Sequence, residues 1–179
     1  MKALVVYESM FGNTEKVARA VGDGLLQEMQ VELFEVRDAP PVITDFVDLL
    51  VVGGPTHAFS LSRSSTRADA VRQGAPAERA VTGLREWLEH LPKGPHSELV
   101  ASFDTRVDKV RRLPGSAAKK AAKLAHGLGY ALAGHESFYV SDTAGPLLPG
   151  EVDRARDWGR SLGSDMRARH DGCTPSRHH

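Results

Sequence analysis

The chain has 179 residues, 41% of them hydrophobic and 26% charged, enough for one domain with a substantial core and too few for two comfortable ones. Lys and Arg number 23, as do Asp and Glu, so the formal net charge is zero; this excludes both the basic excess of a dedicated nucleic-acid binder and a strong acidic field for steering onto basic partners. No apolar run is long enough to span a membrane, the start lacks the charged and apolar regions of a secretory signal, and the single cysteine, Cys173, lies in a polar tail without a partner. A cytoplasmic location is therefore expected.

In chain order, the apolar run Ala3 to Tyr7 predicts a buried strand. Val17, Ala18, Val21, Leu25 and Leu26 then recur at helical spacing. A strand over Val31 to Val36 mixes polar with apolar residues, as a strand near a sheet edge does, and Pro40 and Pro41 follow it. The stretch Ile43 to Val47 leads into a third strand, Leu49 to Val52. Ser60 to Glu78 shows no regular period; it is expected either as a lid or as a solvated connection with a short exposed helix near Arg67 to Val71. Ala80, Val81, Leu84, Trp87, Leu88 and Leu91 predict a helix, Leu99 to Phe103 a fourth strand, Ser116 to His126 an alanine-rich helix and Ser137 to Val140 a fifth strand. A last helix begins at Glu151 with Val152, Ala155, Trp158 and Leu162 on one stripe. From Ser164 the chain turns polar and a frayed tail over 164–179 is expected, with His178 and His179 read as a tag remnant rather than metal ligands. The alternation of strand and helix calls for a parallel sheet covered on both faces.

Two loops carry the chemistry. After the first strand, Glu8-Ser9-Met10-Phe11-Gly12-Asn13-Thr14 opens a helix. The first amides of a helix lack intrahelical partners and lie at the positive end of its dipole, so this loop is a candidate phosphate site, although Ser, Thr and Asn also begin helices simply as caps. It contains no Lys or Arg, which excludes the lysine-bearing loop of nucleotide hydrolases. After the third strand, Gly53-Gly54-Pro55-Thr56-His57-Ala58-Phe59 is either an ordinary turn or a second ligand loop. In a sheet of order 2-1-3-4-5 both loops fall where the strand order reverses, which is where such sheets bind ligands.

These two loops together resemble those of the flavodoxin-like family, over about residues 1–163. The resemblance implies a flavodoxin-like doubly wound five-stranded parallel sheet of order 2-1-3-4-5, with helices on both faces, and non-covalent FMN as cofactor. It places the FMN phosphate on Ser9, Met10, Phe11, Gly12, Asn13 and Thr14, and the isoalloxazine against Pro55, Thr56, His57, Ala58 and Phe59. A third loop, Phe103, Asp104, Thr105 and Arg106, is expected beside the ring, with Phe103 as core and Asp104 as a turn residue the plainer alternative. His57 stands where the family often has a stacking aromatic, and Ala58 where carriers usually have a glycine whose peptide turns toward the reduced flavin. A Cβ at positive φ costs about 1–2 kcal/mol, so a less stabilised one-electron-reduced form is expected.

The implied activity is FMN-dependent electron transfer, with a redox partner protein or a small-molecule acceptor, as a monomer or homodimer. The alternatives are an NAD(P)H:quinone-type oxidoreductase, in which Arg63, Arg67 or Arg72 would hold a nucleotide phosphate, and a non-catalytic module of the same fold. Protoporphyrinogen oxidation also occurs on this fold, but no residue here singles it out. No acid–base pair or metal-ligand spacing is evident, and a response regulator is disfavoured because Gly53-Gly54 occupies the place of its phospho-acceptor aspartate.

Overall fold

A computed structural model describes residues 1–43 and 46–172. Thr44 and Asp45, inside the expected lead into the third strand, lie outside the described residues, as do Cys173 and the rest of the tail to His179. The elements are β1 (Lys2–Tyr7), α1 (Asn13–Leu25), β2 (Gln30–Glu35), β3 (Leu49–Pro55), α2 (Ser64–Arg72), α3 (Leu84–His90), β4 (Leu99–Val107), α4 (Ala117–Leu128), β5 (Ala131–Val140) and α5 (Glu151–Gly172). The five strands form one parallel sheet of order β2-β1-β3-β4-β5, as the alternation requires.

Side chains alternate across the strands, and each face has its own core. Ala3, Val5 and Tyr7 face α1 and α5 with Val17, Val21, Leu25, Leu162 and Met166. Leu4, Val6, Leu50 and Val52 face α3 and α4 with Leu84, Leu88, Ala121 and Ala125. Three glycines let α1 and α5 meet at backbone distance: a Cβ built on Gly24 would lie 2.1 Å from the Arg156 carbonyl oxygen, and one on Gly159 2.2 Å from that of Val21, while Gly163 faces Glu28. Under β3, a Cβ on Gly53 would lie 2.0 Å from the Phe103 ring, which packs edge-on against Phe138 and Trp158.

Two expectations change. The helix expected from Ala80 to Leu91 is a 3-10 turn, Ala77–Ala80, followed by α3, because Gly83 stands between them in extended conformation. α5 continues to Gly172 rather than fraying at Ser164: Met166 is buried against the core, and ion pairs within the helix, including Arg167 with Asp171, line its wet face.

Candidate functional site

β1, β3 and β4 end at the same edge of the sheet, and their loops enclose a cleft there. In the first loop Gly12 adopts φ 88°, a left-handed conformation that costs glycine little. The Ser9 hydroxyl accepts from the amides of Gly12 (3.1 Å) and Glu15 (3.2 Å). Helical bonding starts with Lys16 N to the Gly12 carbonyl, which leaves the amides of Asn13 and Thr14 without an acceptor among the described residues. Those two amides are the free positive end of α1. Asn13 Nδ2 donates to the Ala144 carbonyl (3.0 Å), tying the chain after β5 to this loop, and Thr14 Oγ1 lies 2.7 Å from Thr105 Oγ1.

A cation, absent from the loop's own sequence, comes from the 3-10 turn. Arg79 donates to the Ser9 carbonyl (3.3 Å) and to Glu15 (3.1 Å). Burial pushes the Glu15 carboxyl up, but its hydrogen bonds and ion pairs with Arg19 and Arg79 outweigh this and hold it below its ordinary range.

The second loop is a tight hairpin in which His57 and Ser60 exchange both backbone hydrogen bonds (2.9 and 3.0 Å). Ala58 (φ 47°) and Phe59 (φ 63°) are both left-handed, the pattern of a type I′ turn that glycine or asparagine usually fills. The strain assigned above to a reduced-state flip at Ala58 is thus already present in the turn. Gly115 closes on this turn, since a Cβ there would lie 2.7 Å from the Phe59 carbonyl oxygen. His57 leans toward α2, and burial lowers its imidazole pKa despite a hydrogen bond to the Thr66 backbone.

The cleft is lined by Met10, Phe11, Asn13 and Thr14, by Pro55, Thr56, His57 and Ala58, and by Thr105 and Arg106. Ser9 and Gly12 shape the first loop from behind, and Phe59 faces outward, 45% exposed. Phe103 is fully buried in the core, and Asp104 accepts from Thr56 Oγ1 (3.1 Å) and from the Ala118 amide at the start of α4 (2.9 Å), so neither lines the cleft.

The fourth wall comes from the segment expected as a lid or as a solvated connection with a short helix. Within Ser60 to Glu78 the chain forms α2, and Thr66, Asp69, Ala70 and Gln73 line the cleft, with Val107, Val140 and Thr143 completing it. α2 is docked by Arg67, 2% exposed, which donates to Ser62 Oγ, the Ala80 carbonyl and both oxygens of Glu86. Arg67 is therefore a structural tie and not a nucleotide clamp, and Arg72 pairs with Asp69. Ala70 also packs on Met10, joining this wall to the first loop.

The model of the family described as Flavodoxin matches residues 5–78, which contain the first two loops. Solved structures with the same fold include a flavodoxin from the domain Archaea, 17% identical over 93% of this chain and 99% of its own (TM-score 0.59). Another is a flavodoxin of Streptococcus pneumonia TIGR4, 16% identical over 92% and 99% (TM-score 0.61).

The chain has the flavodoxin-like fold.

Rubredoxin oxygen:oxidoreductase from Desulfovibrio gigas contains the same fold within a longer chain, matching 94% of this flavodoxin-like chain and 37% of its own at 15% identity (TM-score 0.61). No curated protein matches. No described helix of the flavodoxin-like chain is long and apolar enough to cross a membrane, and its described residues include no cluster of three or more potential metal ligands.

The residues fit FMN at both ends of the cleft. Two unpartnered amides and the hydroxyls of Thr14 and Thr105 suit a phosphate, while Pro55, Ala58, Phe11 and Met10 offer flat apolar contact to a ring.

Proposed function

We propose that this protein binds FMN in the cleft and transfers electrons through it. The observation that carries this is the pair of unpartnered amides, Asn13 and Thr14, at the mouth of a cleft whose opposite wall is the strained hairpin His57–Ser60. Asn13, Thr14 and the shaped backbone from Ser9 to Gly12 would hold the phosphate, with Arg79 adding positive charge from behind. Thr56, His57 and Ala58 would hold the ring from one side and Thr105 and Arg106 from another. Bound FMN supplies reversible one- and two-electron chemistry, and the protein supplies orientation and electrostatics.

The cleft, about 250 Å³, is below the ~300 Å³ that begins to enclose a small-molecule ligand. A flavin there keeps an exposed edge, which suits exchange with a redox partner or a small acceptor. Neutral net charge sets the chain apart from carriers that dock by a strong acidic field, and this favours the NAD(P)H-dependent reductase as the second reading. The docked wall α2 closes one side of the site.

The test is titration with FMN followed by visible absorption and fluorescence, then anaerobic mixing of the loaded protein with NADH and NADPH. Saturable micromolar or tighter binding with perturbed flavin bands is expected, and Thr14→Ala should weaken it. Absence of binding overturns the cofactor assignment. Bleaching by a nicotinamide selects the reductase, and resistance to it selects the carrier.

A further inference from the structure

Formal neutrality hides a polarised surface. Between Asp108 and Glu136 the chain carries Lys109, Arg111, Arg112, Lys119, Lys120 and Lys123 and no acid. The two acids that bound this stretch are taken up by arginines: Asp108 pairs with Arg111 (3.2 Å) and Glu136 with Arg154 (3.3 Å). The other five cations of the stretch have no ion-pair partner among the described residues. On the opposite face of the sheet helical charges are balanced in place, with Arg19 on Glu15, Arg156 on Asp153 and Arg160 on Asp157. Unbalanced positive charge is therefore gathered on one flank of a neutral protein.

This flank adjoins the cleft. Arg106, on the cleft wall, donates from Nη2 to the carbonyl oxygens of Val110 (2.8 Å) and Leu113 (3.1 Å) and so pins the segment after β4. Gly115 then closes against Phe59 of the hairpin, and the Ala117 amide donates to Thr56 Oγ1 (2.9 Å), so α4 begins at the edge of the cleft. Lys119 and Lys123 are exposed and four residues apart, hence on one face of α4. Phe59 and Leu113, on the two segments that meet at Gly115, are 45% and 47% exposed.

The arrangement selects among partners. None of these cations lines the cleft, and Lys119 and Lys123 follow a helix face rather than a hollow, so they do not converge on a small anion. No aromatic residue is interleaved with the cations from Lys109 to Lys123, and the whole chain is neutral, which argues against nucleic acid. Two half-exposed apolar side chains fall short of the continuous apolar face that a membrane-surface helix inserts. A small apolar patch with charge beside it has the make-up of a protein–protein interface.

We propose that residues 109–123, together with Phe59, form the docking surface for a redox protein whose own docking face is acidic, and that this surface brings it to the flavin edge at the cleft mouth. This rests on the electron-transfer reading above. At each encounter the partner's reduced centre loses one electron and the flavin gains it, with protons drawn from solvent. The unpaired cations speed encounter with an acidic face and slow it with a basic one.

The probes are an acidic two-iron ferredoxin, which reduces the FMN-loaded protein, and a basic cytochrome c, which oxidises it once reduced. In stopped flow, reduction by ferredoxin should slow about tenfold as salt rises from about 20 to about 500 mM, because exposed charges are then screened. The reaction with cytochrome c should not slow. At low salt Lys119→Glu/Lys123→Glu should slow the ferredoxin reaction about tenfold and leave FMN affinity unchanged. Lys93→Glu/Arg169→Glu, the same change in net charge at exposed positions away from the cleft, should have a much smaller effect. Amide NMR shifts on titration with oxidised ferredoxin supply a readout independent of electron transfer, and should move at Phe59 and within residues 109–123.

Rates independent of salt, equal effects of the two double variants, or amide shifts confined to other surfaces overturn the proposal. So does tighter binding to phosphatidylserine-containing vesicles or to a DNA duplex than to ferredoxin, which would make this flank a membrane or nucleic-acid surface. Wild type that binds no FMN overturns the electron-transfer reading itself, and this failure is distinguishable because FMN titration precedes every comparison of partners and variants.

Discussion

Thr14, in the first turn of α1, and Thr105, near the end of β4, share a buried hydrogen bond of 2.7 Å across 91 residues of sequence. This contact sets the distance between the first loop and the third loop independently of any ligand. Replacing either threonine by valine leaves a buried hydroxyl unpaired and should cost about 1–3 kcal/mol. The double replacement should cost less than the sum of the two. Urea unfolding of the four proteins measures the coupling, and strict additivity would mean that the two hydroxyls act separately.

A buried acid beneath the same loop makes stability depend on pH. Burial pushes the Glu8 carboxyl up, even though its Oε2 accepts from the Leu84 amide (2.8 Å) and the nearby Ser62 and Arg67 favour its charged form. A carboxyl raised in the folded state binds its proton more tightly there than in the unfolded chain. Its contribution is fully present below the unfolded pKa and is lost as pH rises through the folded one. Glu8→Gln should therefore gain on wild type as pH rises from 4 to 7 in denaturant melts. A gain in the opposite direction would show that Arg67 keeps the carboxylate charged at no cost.

Arg67 and its neighbours on the same helix separate structural from surface arginines. Arg67→Ala removes a buried cation from Glu86 and Ser62 and should cost about 3–5 kcal/mol. Arg63→Ala and Arg72→Ala, on exposed positions, should stay within about 0.5 kcal/mol. Thermal melts of the three variants suffice, and equal effects would refute the docking role given to Arg67.

The turn at Ala58 offers a stabilising change. Glycine relieves the left-handed penalty of about 1–2 kcal/mol but adds about 0.5–1 kcal/mol of chain entropy on folding. Ala58→Gly should thus raise stability by up to about 1.5 kcal/mol, read from the unfolding midpoint. A loss would place the strain elsewhere in the hairpin.

Two glycines in helices should respond in opposite senses. Gly24→Ala drives a Cβ into the Arg156 carbonyl and should cost about 3 kcal/mol or more. Gly127→Ala, with open space around it in α4, should stabilise by about 0.5–1 kcal/mol. A tolerated Gly24→Ala would mean that α1 and α5 can slide apart.

The sheet was legible because its strands are apolar runs closed by glycine, proline or hydroxyl residues: Leu49 to Val52 ending at Gly53-Gly54, and Ala3 to Tyr7 ending at the first loop. The wall formed by α2 was legible only as two alternatives, a lid or a short exposed helix near Arg67 to Val71. Ser64–Arg72 has no apolar stripe, and its buried face is Arg67 and Ala70, so an arginine that sequence reads as wet is sunk by partners at Ser62, Ala80 and Glu86. Arg79 escaped notice for a similar reason, since its role arises from contact with Ser9 and Glu15 far back in the chain. Phe103 and Asp104 were placed at the ring because they end a strand beside it, but the pleat turns Phe103 into the core and Asp104 toward α4.

The glycine seam between α1 and α5 has a consequence for how the first loop is assembled. The amides of Asn13 and Thr14 belong to a helix that is seated by Gly159 and Gly163, about 150 residues further along the chain. The first loop is therefore held in its final position only once α5 has docked, and a stretch of α1 alone does not carry that geometry.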